Sequence, residues 1–313
     1  MVTYIKLLFS AIFWGGTFIA GRVISQSIDP FSAAFFRFAI ASVFLLFIAR
    51  QAEGALPLPR KHQYLPLVLL GLTGIVLYNY FFFKGLQLIE AGRASVIVAQ
   101  NPIFIALLSA FFFKEQLTPT RIFAVCISVL GAMIVITRGQ VLEVFRSGFG
   151  LGELYIFGCV ASWVTYSLLG KAVMKDLSPV LSVTYSVLIG TVILFLPASA
   201  NGALQHSLSY SPAQWLSLFY LGFFGTVVGF IWFYQGIQRI GPMKAGQFIN
   251  FVPISGILLG FLILGEPLTP SLGIGLLCVS TGLYLMNKMP AWKEGKDEIL
   301  IKDQTDETRR PTV

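Results

Sequence analysis

The chain has 313 residues, 56% of them hydrophobic and only 12% charged, and its mean hydropathy is +0.79. A soluble domain is about 25% charged, so these proportions exclude an ordinary soluble enzyme or binding module and indicate a polytopic membrane protein. The net charge of +8 would suit nucleic acid, yet no basic cluster is interleaved with aromatics outside the apolar runs, so nucleic acid is not an expected partner.

Ten apolar segments follow one another, each close to the length a bilayer requires. They cover residues 4–24, 31–49, 65–83, 94–113, 119–137, 151–170, 179–198, 213–233, 245–264 and 270–287. The first is too long and too lightly flanked for a cleaved signal and lacks an A-x-A end, so a retained helix is expected. It carries Trp14 in its middle. In the second, Arg37 lies about seven residues in, roughly 10 Å from the start by helical rise. A charge there costs about 2.5–3.5 kcal/mol on insertion scales unless it is paired or reaches the interface. Arg37 therefore either snorkels outward or holds a substrate carboxylate bidentately.

The third segment bears Tyr78, Asn79 and Tyr80. In the fourth, Gln100 and Asn101 directly precede Pro102, and Glu115 closes the run. Thr118 before Pro119 predicts an N-cap with proline at the first helical position. The sixth segment holds Glu153 near its start and Trp163 in its middle; the eighth holds Tyr234 and Gln235. In the ninth, Gln247 and Asn250 lie one turn apart before Pro253, Glu266 closes it, and Thr269–Pro270 opens the tenth. Residues 289–313 read as a polar cytoplasmic tail. Cys126, Cys159 and Cys278 sit in apolar segments without a C-x-x-C, which implies neither a disulfide framework nor a metal site. No cofactor is expected.

The chain is written twice. Ala94, Pro102, Glu115, Leu117, Thr118 and Pro119 recur as Ala245, Pro253, Glu266, Leu268, Thr269 and Pro270 at a constant separation of 151. Gly71/Gly222, Gly85/Gly236, Gln87/Gln238 and Ile89/Ile240 share that offset, while Trp14/Trp163, Gly21/Gly170, Arg22/Lys171 and Pro30/Pro179 pair at 149. Residues 1–140 and 141–288 are thus two five-helix halves. Five is odd, so the second half enters the membrane from the opposite side, and the fold class expected is an all-α inverted repeat suited to alternating access. With the N-terminus inside, sixteen Lys and Arg fall on the cytoplasmic side and five outside, which predicts that both termini are cytoplasmic.

Two halves that each carry A-x7-P-x12-E-x-L-T-P resemble the EamA family of the drug/metabolite transporter superfamily. The resemblance spans about residues 1–288. It implies a ten-helix carrier of the bacterial inner membrane, often an exporter of amino acids or other small metabolites. It also implies a central cavity lined by the first, third, fourth, sixth, eighth and ninth helices.

The residues give a compatible reading. Pro102 and Pro253 cannot donate to the carbonyls of Val98 and Ile249, and such freed carbonyls persist at membrane depth only beside protein or a water-filled cavity. The candidate substrate-binding set is Trp14, Arg37, Tyr78, Asn79, Gln100, Asn101, Trp163, Tyr234, Gln247 and Asn250. For each polar member helix–helix glue is the plain alternative, and for the tryptophans simple packing. Pro102, Pro253, Glu115 and Glu266 are the structural or gating candidates. The glutamates are expected to clasp the capped start of the next helix rather than to carry protons. No acid lies near a helix centre, where proton pumps place one, which favours facilitated or weakly coupled transport.

No G-x-x-x-x-G-K-[ST] is present, so this chain drives no pump with ATP. His62 and His206 lie in loops without a nucleophile elbow or H-E-x-x-H helix, so no enzyme is expected. The lipid bilayer and a small-molecule substrate are the expected partners, and a monomer and a homodimer fit equally. Alternatives are a drug carrier, a lipid flippase, or a nucleotide-sugar or sugar-phosphate carrier. The last would want several cavity cations, where only Arg37 and Lys84 are in reach.

Overall fold

A computed structural model of the chain describes residues 1–25, 27–54, 56–89, 94, 97–137, 139, 140, 142, 150–264 and 270–288. Among these residues every regular element is helical. In chain order they are α1 (Val2–Ser25), α2 (Pro30–Glu53), α3 (Tyr64–Leu70), α4 (Tyr78–Leu88), α5 (Asn101–Phe113), α6 (Pro119–Ile136), α7 (Leu151–Val173), α8 (Pro179–Ala200), α9 (Ala203–Ser207), α10 (Pro212–Tyr220), α11 (Gly229–Gly246), α12 (Phe251–Leu264) and α13 (Pro270–Lys288). π-Helical turns over Gly71–Leu77 and Leu221–Val228 join α3 to α4 and α10 to α11. Among the described residues seven helical stretches are long and apolar enough to cross a membrane, and α5 and most of α13 are shorter apolar helices. A polytopic membrane protein follows.

Four interhelix links end on the same local signal. Asp29, Thr118, Ser178 and Ser211 each accept the backbone N–H of the residue three positions on, with proline in the first turn of the helix that follows. The side-chain oxygen satisfies one orphan donor, and proline removes another that would have had no partner. The Thr118–Pro119 cap is the one the sequence predicts. Its partner Thr269 and the candidate Glu266 lie outside the described residues, as does the tail 289–313.

The boundaries differ from the apolar runs where the backbone is interrupted. α5 begins at Asn101, after a turn at 99–100, because Pro102 has no N–H to carry a helix through from residue 94. The expected ninth segment likewise tightens into a 3₁₀ turn over Gln247–Asn250 before Pro253 enters α12. α11 runs past residue 233 and breaks at Gly241 (φ 81°, ψ 158°), a left-handed position that suits glycine.

α1 packs on α11 and α12, α2 on α8, α4 on α7, and α6 along α13. Two of these contacts require glycine. A Cβ on Gly131 would stand 2.8 Å from the carbonyl oxygen of Gly275, and one on Gly282 would stand 2.5 Å from that of Ala124. Small residues let membrane helices approach backbone to backbone, which is the main source of their association in lipid.

Candidate functional site

A cavity of about 70 Å³ lies where α1, α2, α4, α5, α7, α11 and the turn before α12 meet. Trp14, Arg37, Tyr78, Asn79, Asn101 and Trp163 line it, together with Thr17, Phe82, Phe230 and Ile249. That is room for a few water molecules and well short of a metabolite pocket, so ligand entry requires the surrounding helices to part.

Arg37 is its charged centre. The side chain turns inward and is only 9% exposed, so it does not snorkel to the interface. Its Nε donates to Thr226 Oγ1 at 3.0 Å and one terminal nitrogen to Asn79 Oδ1 at 3.4 Å. Both acceptors are held from behind. Asn79 Nδ2 donates to the Ile75 carbonyl at 2.7 Å. Thr226 Oγ1 donates at 3.0 Å to the carbonyl of Leu221, five residues back, within the π-helical stretch. Among the described residues no carboxylate pairs with Arg37. A guanidinium has five N–H donors, and this one makes two hydrogen bonds to protein. The second span thus contributes to the cavity, although the family resemblance does not place it there.

Aromatic rings supply much of the remaining lining. Trp14 and Trp163, mates in the repeat, meet edge to face with centroids 5.3 Å apart, and Tyr78 lies 5.5 Å from Trp163. Trp14 Nε1 donates to the Gly225 carbonyl at 2.9 Å, which fixes its ring. Asn101 Nδ2 caps the Val98 carbonyl that Pro102 leaves without a backbone donor, at 2.9 Å. Its buried Oδ1 has no hydrogen-bond partner among the described residues.

The other candidates lie elsewhere. Gln100 faces Met133 of α6, its Nε2 3.5 Å from the sulfur. Tyr234 is fully buried and donates to the Tyr166 carbonyl at 3.0 Å. Gln247 and Asn250 are buried in the 3₁₀ turn, their amide atoms without hydrogen-bond partners among the described residues. Thr226 is the residue sequence reading overlooks. A threonine in a run of glycine and valine carries no signal until the helix that brings Arg37 to it is known.

Glu115 does not reach back to the α6 start as expected. Its Oε1 accepts from Lys171 Nζ of α7 at 3.0 Å, and that ammonium lies 4.3 Å above the Phe113 ring. Lys114, in the left-handed region (φ 52°), turns the chain out of α5 so that the carboxylate can point across. Both ends of the pair are less than one-fifth exposed. Breaking it lies between the surface and buried cases, about 1–2 kcal/mol. Glu115→Gln and Lys171→Gln should each lower the melting temperature in detergent, and the double variant should fall no further than the worse single. Additive losses would show that the two side chains are not partners.

The EamA-like transporter family model matches residues 1–137 and again 150–288. An uncharacterized transporter of Bacillus subtilis, YyaM, is 30% identical over 281 residues, covering 90% of this chain and 92% of its own. An uncharacterized transporter of Archaeoglobus fulgidus is 29% identical over 91% of this chain and 99% of its own. A solved crystal structure aligns with a TM-score of 0.73 at 20% identity, over 93% of this chain, and speaks to the fold alone. With transporters as its relatives and two family matches across nearly its whole length, the chain belongs to the EamA-like transporter family.

Proposed function

We propose that this transporter is a secondary carrier that exports a small zwitterion with apolar surface, an amino acid being the family-consistent choice, by alternating access between two inverted five-helix halves. The observation that carries the substrate class is Arg37, a buried cation in the cavity with no carboxylate beside it among the described residues. A charge at such depth is costly unless an anion shares the site. A substrate carboxylate can engage its remaining N–H donors in a planar, bidentate fashion. The faces of Trp14 and Trp163 suit an ammonium and an apolar side chain, and Asn101 Oδ1 is an acceptor for an ammonium proton. A sugar phosphate would meet a single cation here.

The inverted repeat is supported by contacts that come in exchanged pairs. A Cβ on Gly71 would stand 2.9 Å from the Ser186 carbonyl oxygen, and one on Gly222 would stand 2.7 Å from that of Arg37. Residues 71 and 222 are repeat mates, and so are 37 and 186. Gly131 and Gly282, with Gly275 and Ala124, exchange roles in the same way, and Trp14 meets its own mate Trp163. Reciprocity of this kind is what a two-fold relation between halves produces. The Lys/Arg asymmetry favours both termini in the cytoplasm, and the family resemblance favours the bacterial plasma membrane as the setting.

Counterflow in liposomes tests the substrate class. Proteoliposomes preloaded with a neutral apolar amino acid should exchange it for labelled amino acid. Neither the amino amide, which lacks the carboxylate, nor a hexose phosphate should exchange. Exchange of the amide at the same rate as the acid would sink the carboxylate assignment.

A further inference from the structure

A second cleft, of about 160 Å³, shares no lining residue with the Arg37 cavity. It sits where the start of α6, the C-terminal end of α7 and the Gly241 break come together. Four cationic side chains line it, namely Arg121, Lys171, Arg239 and Lys244, against one carboxylate, Glu115, already engaged with Lys171 at 3.0 Å. Arg121 and Lys244 are buried, 6% and 9% exposed. Arg121 is aimed by a 2.7 Å hydrogen bond to the Gln116 carbonyl, and Arg239 reaches Thr3 Oγ1 at 3.4 Å.

We infer that this cleft is a binding site for a phosphoryl oxygen group, presented either by an anionic lipid headgroup or by a soluble phosphate. The lining carries four cations against one carboxylate, and an anion between them lowers their mutual repulsion. Two guanidinium forks and ammonium groups from different elements offer donors around a tetrahedral group, more than the two oxygens of a carboxylate can use. All four cations fall on the side that the Lys/Arg asymmetry makes cytoplasmic, and basic pockets between helix ends on that side are where lipid phosphates settle. Gly241 keeps the floor open, since a Cβ there would stand 2.8 Å from Glu115 Oε1.

The test uses full-length protein, delipidated in detergent, with two probes. Native mass spectrometry follows phosphatidylglycerol against phosphatidylcholine, and thermal melts follow inorganic phosphate against chloride at equal ionic strength. The double variant Arg239→Gln/Lys244→Gln should weaken binding at least tenfold, whereas Arg239→Lys/Lys244→Arg keeps it. Arg50→Gln/Lys175→Gln, two exposed cations assigned to the same side, should also keep it. Arg239→Gln alone, a change at an exposed position, should weaken binding partially and serves if the double variant does not fold. Selective loss of phosphatidylglycerol identifies a lipid headgroup. Loss of phosphate stabilisation with no preference between the lipids identifies a soluble phosphate. The inference is overturned if neither probe distinguishes Arg239→Gln or the double variant from wild type, or if the Arg50/Lys175 control loses as much.

Discussion

Arg37→Gln is expected to weaken binding of a carboxylate-bearing substrate at least thirtyfold without lowering the melting temperature of the ligand-free protein. Losing one partner of a desolvated charge pair costs about 2–5 kcal/mol, and the lower figure already corresponds to that factor. The empty protein, by contrast, is relieved of a buried cation that no carboxylate among the described residues compensates. Glutamine can still donate to Thr226 or Asn79, the two groups that now accept from Arg37. Arg37→Lys should fall between wild type and Gln, since it keeps the charge and loses the planar fork. Counterflow titrations and detergent melts on the same preparations check both halves of the expectation. Unchanged half-saturation in Arg37→Gln would remove the arginine from the site, and a collapse in stability would make it a structural residue.

The second large effect is expected at the contact of α6 with α13. Gly131→Leu and Gly282→Leu should each abolish monodisperse protein on size exclusion. Even a methyl at 282 would stand 2.0 Å from Ser128 Oγ and 2.5 Å from a carbonyl oxygen, and at 131 it would meet Cys278 Cβ at 2.6 Å. Backbone atoms cannot rotate aside, so the helices must separate. The milder Gly→Ala changes should each cost about 1–3 kcal/mol, by similar amounts at the two positions because they occupy exchanged places. Gly273→Ala is the control, with nothing within 4 Å of its Cβ position, and should be neutral or mildly stabilising. Wild-type melting of Gly131→Leu would mean that the two helices do not touch there.

Several features were legible in the residues alone, each for a local or statistical reason. Membrane class follows from composition, and family membership from A-x7-P-x12-E-x-L-T-P, because spacing is preserved whatever the surroundings do. The Thr118–Pro119 cap was legible because its chemistry is complete within four residues. What was not legible depended on partners remote in sequence. Position alone cannot tell an arginine that snorkels from one that turns inward, and Arg37 is settled by Thr226, 189 residues away. Glu115 is settled by Lys171, 56 residues away. In lipid a helix is apolar on every side, so hydrophobic periodicity gives no rotation angle. That is why Asn101 and Gln100, one residue apart, could not be told apart as cavity-lining and α6-facing.

The π-helical stretches Gly71–Leu77 and Leu221–Val228 have an evolutionary consequence. A π-bulge holds one residue more than the α-turn it replaces. A single codon lost from the first stretch would be absorbed by relaxing it to α, leaving the span intact. The widened turn already sets its flanks where an uninterrupted α-helix would, so the helix beyond it would keep its rotation. Tyr78 and Asn79 begin the helix immediately after the stretch, and such a deletion would leave both at the cavity, with Asn79 still in reach of Arg37. Spans of this build can therefore shed or take up a single residue at these stretches while the side chains around the cavity keep their places.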